Sequence, residues 1–101
     1  MNLRDLKYLV VVSETRSFVK AAQQCFVSQP TLSTQIKKIE QELGVLLFER
    51  TNKKVMVTTV GRDIIESAQA VLDEVERMKR IAANATDPFA GDLRLGAFPS
   101  L

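Results

Sequence analysis

The sequence predicts a mainly α-helical fold in which one short β-hairpin separates three helices from a single long helix. Apolar residues recur at helical spacing over four stretches, and only residues 46–58 change to short β-branched and aromatic runs. The chain has 101 residues, of which 46% are hydrophobic and 26% charged, as is typical of one small globular domain.

The first two predicted helices are joined by a polar stretch. The first extends from about residue 3 to 14, where Leu6, Leu9 and the valines at 10–12 form a broad apolar face. Ser17 has the residue type of an N-cap for the second helix. The apolar face of that short helix has the spacing i, i+3, i+4 and i+7: Phe18, Ala21, Ala22 and Cys25.

The third predicted helix has strong start and stop signals. Ser28 suits an N-cap, Pro30 is tolerated in a first turn, and Gly44 is the expected left-handed terminator. The residues expected to be buried are Leu32, Ile36, Ile39 and Leu43. Two helices joined by so tight a turn predict a helix-turn-helix. The runs 46–50 and 55–58 flank a polar turn, so a hairpin follows, and a hairpin in this place is a wing.

The longest predicted helix covers about residues 60–85, capped by Thr58 or Thr59. A helix of ~25 residues spans roughly 37 Å, too long to be covered by so small a domain, and should pack against a second copy. Its predicted dimer seam, with spacings of mostly 4 and 3, is Ile64, Ala68, Val71, Leu72, Val75 and Met78. Residues 84–92 have a hinge composition, and 93–98 alternate like the first strand of a further domain.

The amino-acid composition argues against an enzyme, a metal-binding protein and a membrane protein. The sequence has no histidine and a single cysteine, which excludes an internal disulfide and a cysteine metal framework. We therefore expect no enzymatic activity, no metal and no cofactor. No apolar run approaches the ~18 residues of a membrane span, and the N-terminus lacks a secretory signal pattern, so a cytoplasmic protein without a membrane partner is expected.

Charge is divided along the chain. Residues 1–58 hold nine basic against five acidic residues, whereas residues 59–101 hold five basic against seven acidic. At 100° per residue, the third helix directs Pro30, Thr34, Lys37 and Gln41 away from its apolar face. A solvated face is the simpler interpretation for an isolated helix, but the preceding turn and the following basic hairpin favour a face that reads the DNA major groove.

These residues resemble the signature of LysR-type transcriptional regulators. The resemblance lies in "FVKAAQQCFVSQPTLSTQIKKIEQELGVLLFERTNKKVMVTTVG", residues 18–61, and extends from residue 1 to about 96. Within the family, "MNLRDLKYLV" and "CFVSQPTLS" are most similar to the peroxide-responsive OxyR subgroup. Peroxide sensing in that subgroup belongs to cysteines of a downstream domain, and Cys25 is not one of them.

The resemblance implies three regions: a winged helix-turn-helix at 1–58, a linker helix for dimerisation at 59–86, and at 87–101 a hinge and the start of an effector-binding domain. It implies a homodimer through the linker helix, commonly a tetramer when full-length, bound to a double-stranded DNA operator, with RNA polymerase as a further candidate partner. The implied base-reading residues are Gln29, Pro30, Thr31, Ser33 and Thr34. The expected backbone and wing contacts are Arg4, Lys20, Lys37, Lys38, Arg50, Lys53 and Lys54.

Three positions depart from the family pattern. Thr34 stands where many members have arginine, which puts a direct guanine contact there in doubt. Thr59 replaces a frequent proline, and Val60 replaces the usual alanine. Two alternatives stay open: a regulator of this type that answers to a small molecule other than peroxide, and a protein-interaction module that uses the long helix.

Overall fold

The computed structural model describes residues 1–51 and 54–86. The helices and strands are α1 Leu3–Thr15, α2 Phe18–Cys25, α3 Gln29–Leu43, β1 Phe48–Arg50, β2 Val55–Val57 and α4 Thr59–Thr86. The predicted fold class is confirmed, with four helices and an antiparallel hairpin in the expected order. Of the residues with hinge composition, 84–86 belong to α4; residues 87–92 and the predicted further strand at 93–98 lie outside the described residues. In the described part, no helix is long and apolar enough to cross a membrane.

Helix starts follow the polar caps. The Ser17 side chain accepts a hydrogen bond from the Lys20 N–H, and the Ser28 side chain accepts one from the Thr31 N–H, as predicted. Gly44 ends α3 in the left-handed conformation, with φ +74°. The start of α1 was not predicted in this detail: Asn2 and Asp5 form a reciprocal capping box there.

The hairpin is shorter than the sequence predicts. Its strands have three residues each, in the register Phe48–Val57, Glu49–Met56 and Arg50–Val55. Leu46 and Leu47 precede β1 because their backbone is used elsewhere: the Leu46 carbonyl accepts from the Thr58 hydroxyl, and the Leu47 N–H donates to Glu40.

The core lies where α1, α2, α3 and β1 meet. Leu9, Leu32, Ile36 and Leu47 have no exposed surface. The prediction that Leu43 is buried is wrong, because it is the last residue of α3 and is 36% exposed. Burial of the remaining α3 positions fixes which face of the helix is left outside.

The start of α4 is fastened to the segment before β1. The Thr58 hydroxyl accepts from the Gly61 N–H at 2.9 Å, so Thr58 and not Thr59 caps the helix. The Thr58 N–H donates to the Leu47 carbonyl at 3.0 Å. A Cβ at Gly61 would overlap that same carbonyl oxygen, so only glycine permits this close approach. Beyond the junction, α4 packs along α1 and buries Ala68.

Candidate nucleic-acid interface

The outer face of α3 is free of contacts with the core. Pro30, Thr34, Lys37 and Gln41 are exposed, as their helical phase requires. Of the remaining predicted base-reading residues, Gln29 and Thr31 are exposed and Ser33 is half-buried. Pro30, Thr31 and Thr34 line one shallow depression of about 270 Å³ together with Gln35. The structure therefore brings three of the five predicted base-reading residues to one site, with small side chains that allow close approach.

The first turn of α3 orients its hydroxyl groups. The Ser28 hydroxyl accepts from the Thr31 N–H at 3.2 Å and donates to the Thr31 hydroxyl oxygen at 2.8 Å. Because the Thr31 oxygen accepts this bond, its own proton is available for an acceptor outside the helix. The major-groove edges of guanine and thymine carry such acceptors.

A buried carboxylate joins α3 to the start of α1. Asp5 is 6% exposed; one of its oxygens accepts from the Asn2 N–H at 3.1 Å and the other from the Gln35 side-chain amide at 3.3 Å. Gln35 lies at the edge of the depression on α3. The hydrogen bond between Gln35 and Asp5 therefore helps to fix the orientation of the outer face of α3 relative to α1.

A second carboxylate joins α3 to the wing. One Glu40 oxygen accepts from the Leu47 N–H at 2.8 Å and from the Phe48 N–H at 3.2 Å. Charge-assisted bonds of this kind are stronger than neutral ones, so the base of the hairpin is held at a fixed distance from α3.

These two carboxylates were missed as site residues. The spacing of Asn2 and Asp5 could have indicated Asp5, because it matches a capping box. Nothing in a single sequence separates Glu40 from an ordinary solvated glutamate.

The wing carries exposed cations. Arg50 and Lys54 are both exposed, and the Arg50 guanidinium lies over the Phe18 ring, 3.9 Å from its centroid. The turn is closed by the Lys54 carbonyl, which accepts from the Thr51 N–H at 2.9 Å. Lys53, the remaining predicted wing residue, lies outside the described residues.

The other predicted backbone contacts are exposed and unpaired where the structure describes them. The three ion pairs found in residues 1–51 and 54–86 join Met1 to Glu42, Arg77 to Glu74, and Lys79 to Glu76. Lys20, Lys37 and Lys38 take part in none of these ion pairs, and their side chains are exposed. Arg4 is placed differently, in a groove between α1 and α4. Its role as a backbone contact stays a prediction.

The predicted dimer seam is divided between two surfaces. Ala68 is 3% exposed in the single chain, and Ile64 packs against the core, so both already contact their own chain. Leu72 and Val75 are half-buried beside α1. Val71 and Met78 are exposed to 44% and 61%, and Ile81, which was not predicted, to 53%. The large apolar side chains exposed in α4 after its first turn are therefore these three residues.

The described residues contain no group of three or more acidic, histidine or cysteine side chains placed to hold a metal ion. The chemistry of the site is that of hydrogen-bond donors, methyl groups and cations on an exposed helix face.

Comparison with known proteins gives a family and close relatives. The family model "Bacterial regulatory helix-turn-helix protein, lysR family" matches residues 3–62. The chain is 48% identical over 101 residues to the "Hydrogen peroxide-inducible genes activator" of Pectobacterium carotovorum subsp. carotovorum and to the "DNA-binding transcriptional dual regulator OxyR" of Escherichia coli (strain K12). Each match covers 100% of this chain and 33% of the relative, so the chain spans about one third of the relatives' length.

Solved structures agree in fold. Full-length OxyR from Pseudomonas aeruginosa superposes with a TM-score of 0.80 at 42% identity, over 86% of this chain and 30% of that one. The BenM DNA-binding domain in complex with catB site 1 DNA superposes with a TM-score of 0.82 at 38% identity, over 86% of this chain and 98% of that one. The CbnR DNA-binding domain bound to DNA gives 0.79 at 33% identity, over 84% and 98%.

Proposed function

Because the chain belongs to the LysR family of bacterial helix-turn-helix regulators, we propose that it is the DNA-binding part of an OxyR-type transcriptional regulator. The observation that carries the proposal is the outer face of α3, where small hydroxyl-bearing residues share one depression and unpaired lysines follow. Regulation in response to oxidative stress would belong to the whole protein. The relatives are transcriptional regulators, and no enzymatic role is proposed.

Three regions divide the work in this proposal. Residues 1–58 bind DNA, residues 59–86 form a linker and dimerisation helix, and residues 87–101 begin the hinge toward an effector-binding domain. The fastening of Thr58 to the Leu46 and Leu47 carbonyls supports a boundary at this place, because the chain passes there from the wing into α4.

Base reading and anchoring are assigned to different side chains. Gln29, Thr31 and Ser33 would read base edges at the start of α3, with Pro30 and Thr34 giving the close approach. Lys37, Lys38 and Lys20, together with the wing cations Arg50, Lys53 and Lys54, would neutralise phosphates and contribute affinity without sequence discrimination.

The functional unit would be a homodimer on a dyad operator. The exposed stripe of Val71, Met78 and Ile81 supports pairing of two linker helices. Two recognition helices related by a two-fold axis then bind two half-sites. A tetramer of the full-length protein and a contact with RNA polymerase extend this proposal to the whole regulator.

The direct experiment is selection of bound sequences from a random duplex library, followed by titration of the selected site. We expect enrichment of a sequence with dyad symmetry. Ser33→Phe should abolish preference for the selected site, because a bulky ring on a half-buried flank holds α3 away from the bases.

The matched control is Gln23→Phe, which places the same ring on an exposed position of α2 instead of α3. Both variants should keep a parent-like circular dichroism spectrum. Full specific affinity in Ser33→Phe would refute the assignment of this face, and equal loss in both variants would show that an added ring is harmful at any position.

A second candidate function is that of a DNA-binding regulator of the same family that responds to a small molecule other than peroxide. The chain is also 38% identical over 100 residues to a regulator whose name does not mention peroxide, the "HTH-type transcriptional regulator EstR" of Acinetobacter baylyi, and this favours keeping the second candidate. Peroxide treatment of the full-length protein separates the two candidates: altered operator binding that a thiol reductant reverses supports the peroxide response, and unchanged binding supports the alternative.

A further inference from the structure

An aromatic ring and a cation connect the wing to the first helix of the helix-turn-helix. The Cζ atom of Arg50 on β1 lies 3.9 Å from the centroid of the Phe18 ring on α2. The edge of the Phe48 ring meets Phe18 at an interplanar angle of 78°, with centroids 6.3 Å apart. Phe18 and Phe48 are 6% and 4% exposed, whereas Arg50 is exposed. The cation therefore lies on a rigid, buried support.

This contact orients Arg50 without neutralising its charge. The distance of 3.9 Å from Cζ to the ring centroid is that of a stacked guanidinium, and stacking leaves the N–H donors at the edges of the plane free. In the described part of the chain, no carboxylate lies within 4.0 Å of this guanidinium. A planar cation with free edges matches a phosphate, which accepts two parallel hydrogen bonds.

The start of the same strand is held by a second contact, from α3. Glu40 on α3 binds the N–H groups of Leu47 and Phe48 at the base of the hairpin, and Phe18 contacts the side chain at the end of β1. The two contacts fix the wing relative to both helices of the helix-turn-helix. In the proposed complex, the wing cation and the base-reading residues would therefore contact DNA at a fixed position relative to each other.

We infer that Phe18 is a positioning residue for DNA binding: its ring holds Arg50 so that the edge of the guanidinium meets a phosphate beside the recognition helix. Phe18 itself is buried, so its ring would not contact DNA directly. The inference rests on the proposed function and adds to it a residue that acts only through Arg50.

A double-mutant cycle tests whether Phe18 acts through Arg50. The variants are Phe18→Leu, which keeps apolar bulk and removes the aromatic face, Arg50→Gln, and both together. Affinity for a duplex carrying the selected site is measured across salt concentrations. We expect about a threefold to tenfold loss in each single variant, with the slope of log affinity against log salt reduced by up to about 0.9, which corresponds to one phosphate.

The double variant decides the outcome. If Phe18 acts through Arg50, the double variant binds no more weakly than Arg50→Gln alone. Losses that multiply would overturn the inference, as would an unchanged salt slope in Phe18→Leu. Val12→Ala is the matched control, because Val12 is fully buried on α1 and is not part of the ring contact. Its effect should leave the salt slope unchanged and be the same with and without Arg50.

A measurement on the parent chain keeps the inference testable if Phe18→Leu does not fold. Ring currents should shift the δ and ε protons of Arg50 upfield of their values in the urea-unfolded chain. Unshifted protons would overturn the inference without any use of DNA. A parent chain that binds no duplex would overturn the proposed function as well, whereas binding with multiplied losses would overturn this inference alone.

Discussion

Cys25 shows at the residue scale how burial controls reactivity. Half-burial raises the pKa of its thiol above the ordinary value, and the Lys7 ammonium opposes this rise without cancelling it. The thiolate is the reactive form, so iodoacetamide should alkylate Cys25 several-fold more slowly in the folded chain than in urea at about pH 8. Mass spectrometry of timed samples measures both rates, and equal rates would contradict the prediction.

The raised pKa of the same thiol also makes a small contribution to the stability of the fold, and this contribution decreases at alkaline pH. Because the pKa is higher in the folded chain, the unfolded chain loses its proton first as pH rises. Stability contributed by the protonated thiol is complete below the unfolded pKa and is lost as pH rises through the folded one. Urea unfolding at increasing alkaline pH should show this loss, and Cys25→Ser should remove this part of the pH dependence.

Single residues also show where sequence-based prediction stops. Ser17 and Ser28 were predictable as caps because a cap acts within three residues of the chain. The contacts that Asp5 and Glu40 make across the fold were not, because their partners Gln35, Leu47 and Phe48 become neighbours only after folding. The chemistry of a polar side chain is visible in the sequence, and its long-range partner is not.

At the scale of elements, the junction between the wing and α4 leads us to expect that a glycine-to-alanine change inside a helix lowers the stability of the chain. Glycine to alanine inside a helix ordinarily stabilises by about 0.4–1 kcal/mol. At Gly61 the added methyl would overlap the Leu47 carbonyl, a backbone atom that cannot rotate aside. We expect Gly61→Ala to lower the free energy of unfolding by about 1–3 kcal/mol, measured by urea denaturation.

Gly44→Ala is the matched control for that change. Its added methyl meets nothing within 4 Å, so only the left-handed backbone opposes it, at about 1–2 kcal/mol. Gly61→Ala should also disturb the hydrogen bonds of Thr58 at the start of α4. The amide resonances of residues near Thr58 should therefore shift in Gly61→Ala and stay unchanged in Gly44→Ala. A Gly61→Ala chain as stable as the parent would contradict the close approach.

Helices were predicted more accurately than strands, for a physical reason. Each helix carries its own hydrogen bonds, and its bounds follow from caps such as Ser28 and Gly44. A strand requires a partner, and the backbone of Leu46 and Leu47 binds Thr58 and Glu40 in place of the opposite strand. The hairpin is therefore shorter than its apolar run.

At the scale of the whole molecule, the exposed stripe on α4 predicts the oligomeric state. Met78→Glu places a charge on a surface that is 61% exposed in one chain and would be buried in a dimer. An unpaired buried charge is strongly unfavourable, so the dimer dissociation constant should rise at least about tenfold. Sedimentation velocity measures this, and affinity for the two-half-site duplex should fall with it.

Ala83→Glu is the matched control, because it adds the same charge to an exposed position on the side of α4 that faces away from Val71, Met78 and Ile81. It should leave the dimer intact. A Met78→Glu chain that dimerises like the parent would show that the stripe is not the seam. The proposed dimer would then need another surface, although DNA binding by α3 would stand.

The whole-molecule scale also shows that the predicted seam combines residues on two different surfaces of the single chain. The apolar residues of α4 belong to two surfaces: one packs against α1 in the same chain, and the other is exposed to solvent. Ala68 belongs to the first and Met78 to the second, yet both fit one heptad pattern. Only the folded chain separates them.

The fastening of Thr58 to the backbone before β1 has a consequence for operator geometry. With 28 residues at 1.5 Å each, α4 is about 42 Å long, and it leaves the wing through a joint closed by hydrogen bonds and one close glycine contact. A tilt of about 10° at this joint displaces the far end of α4 by about 7 Å. Along a duplex with a rise of about 3.4 Å per base pair, that distance equals about two base pairs. In the proposed dimer, angular precision at a single threonine and a single glycine therefore translates into the number of base pairs that separate two half-sites.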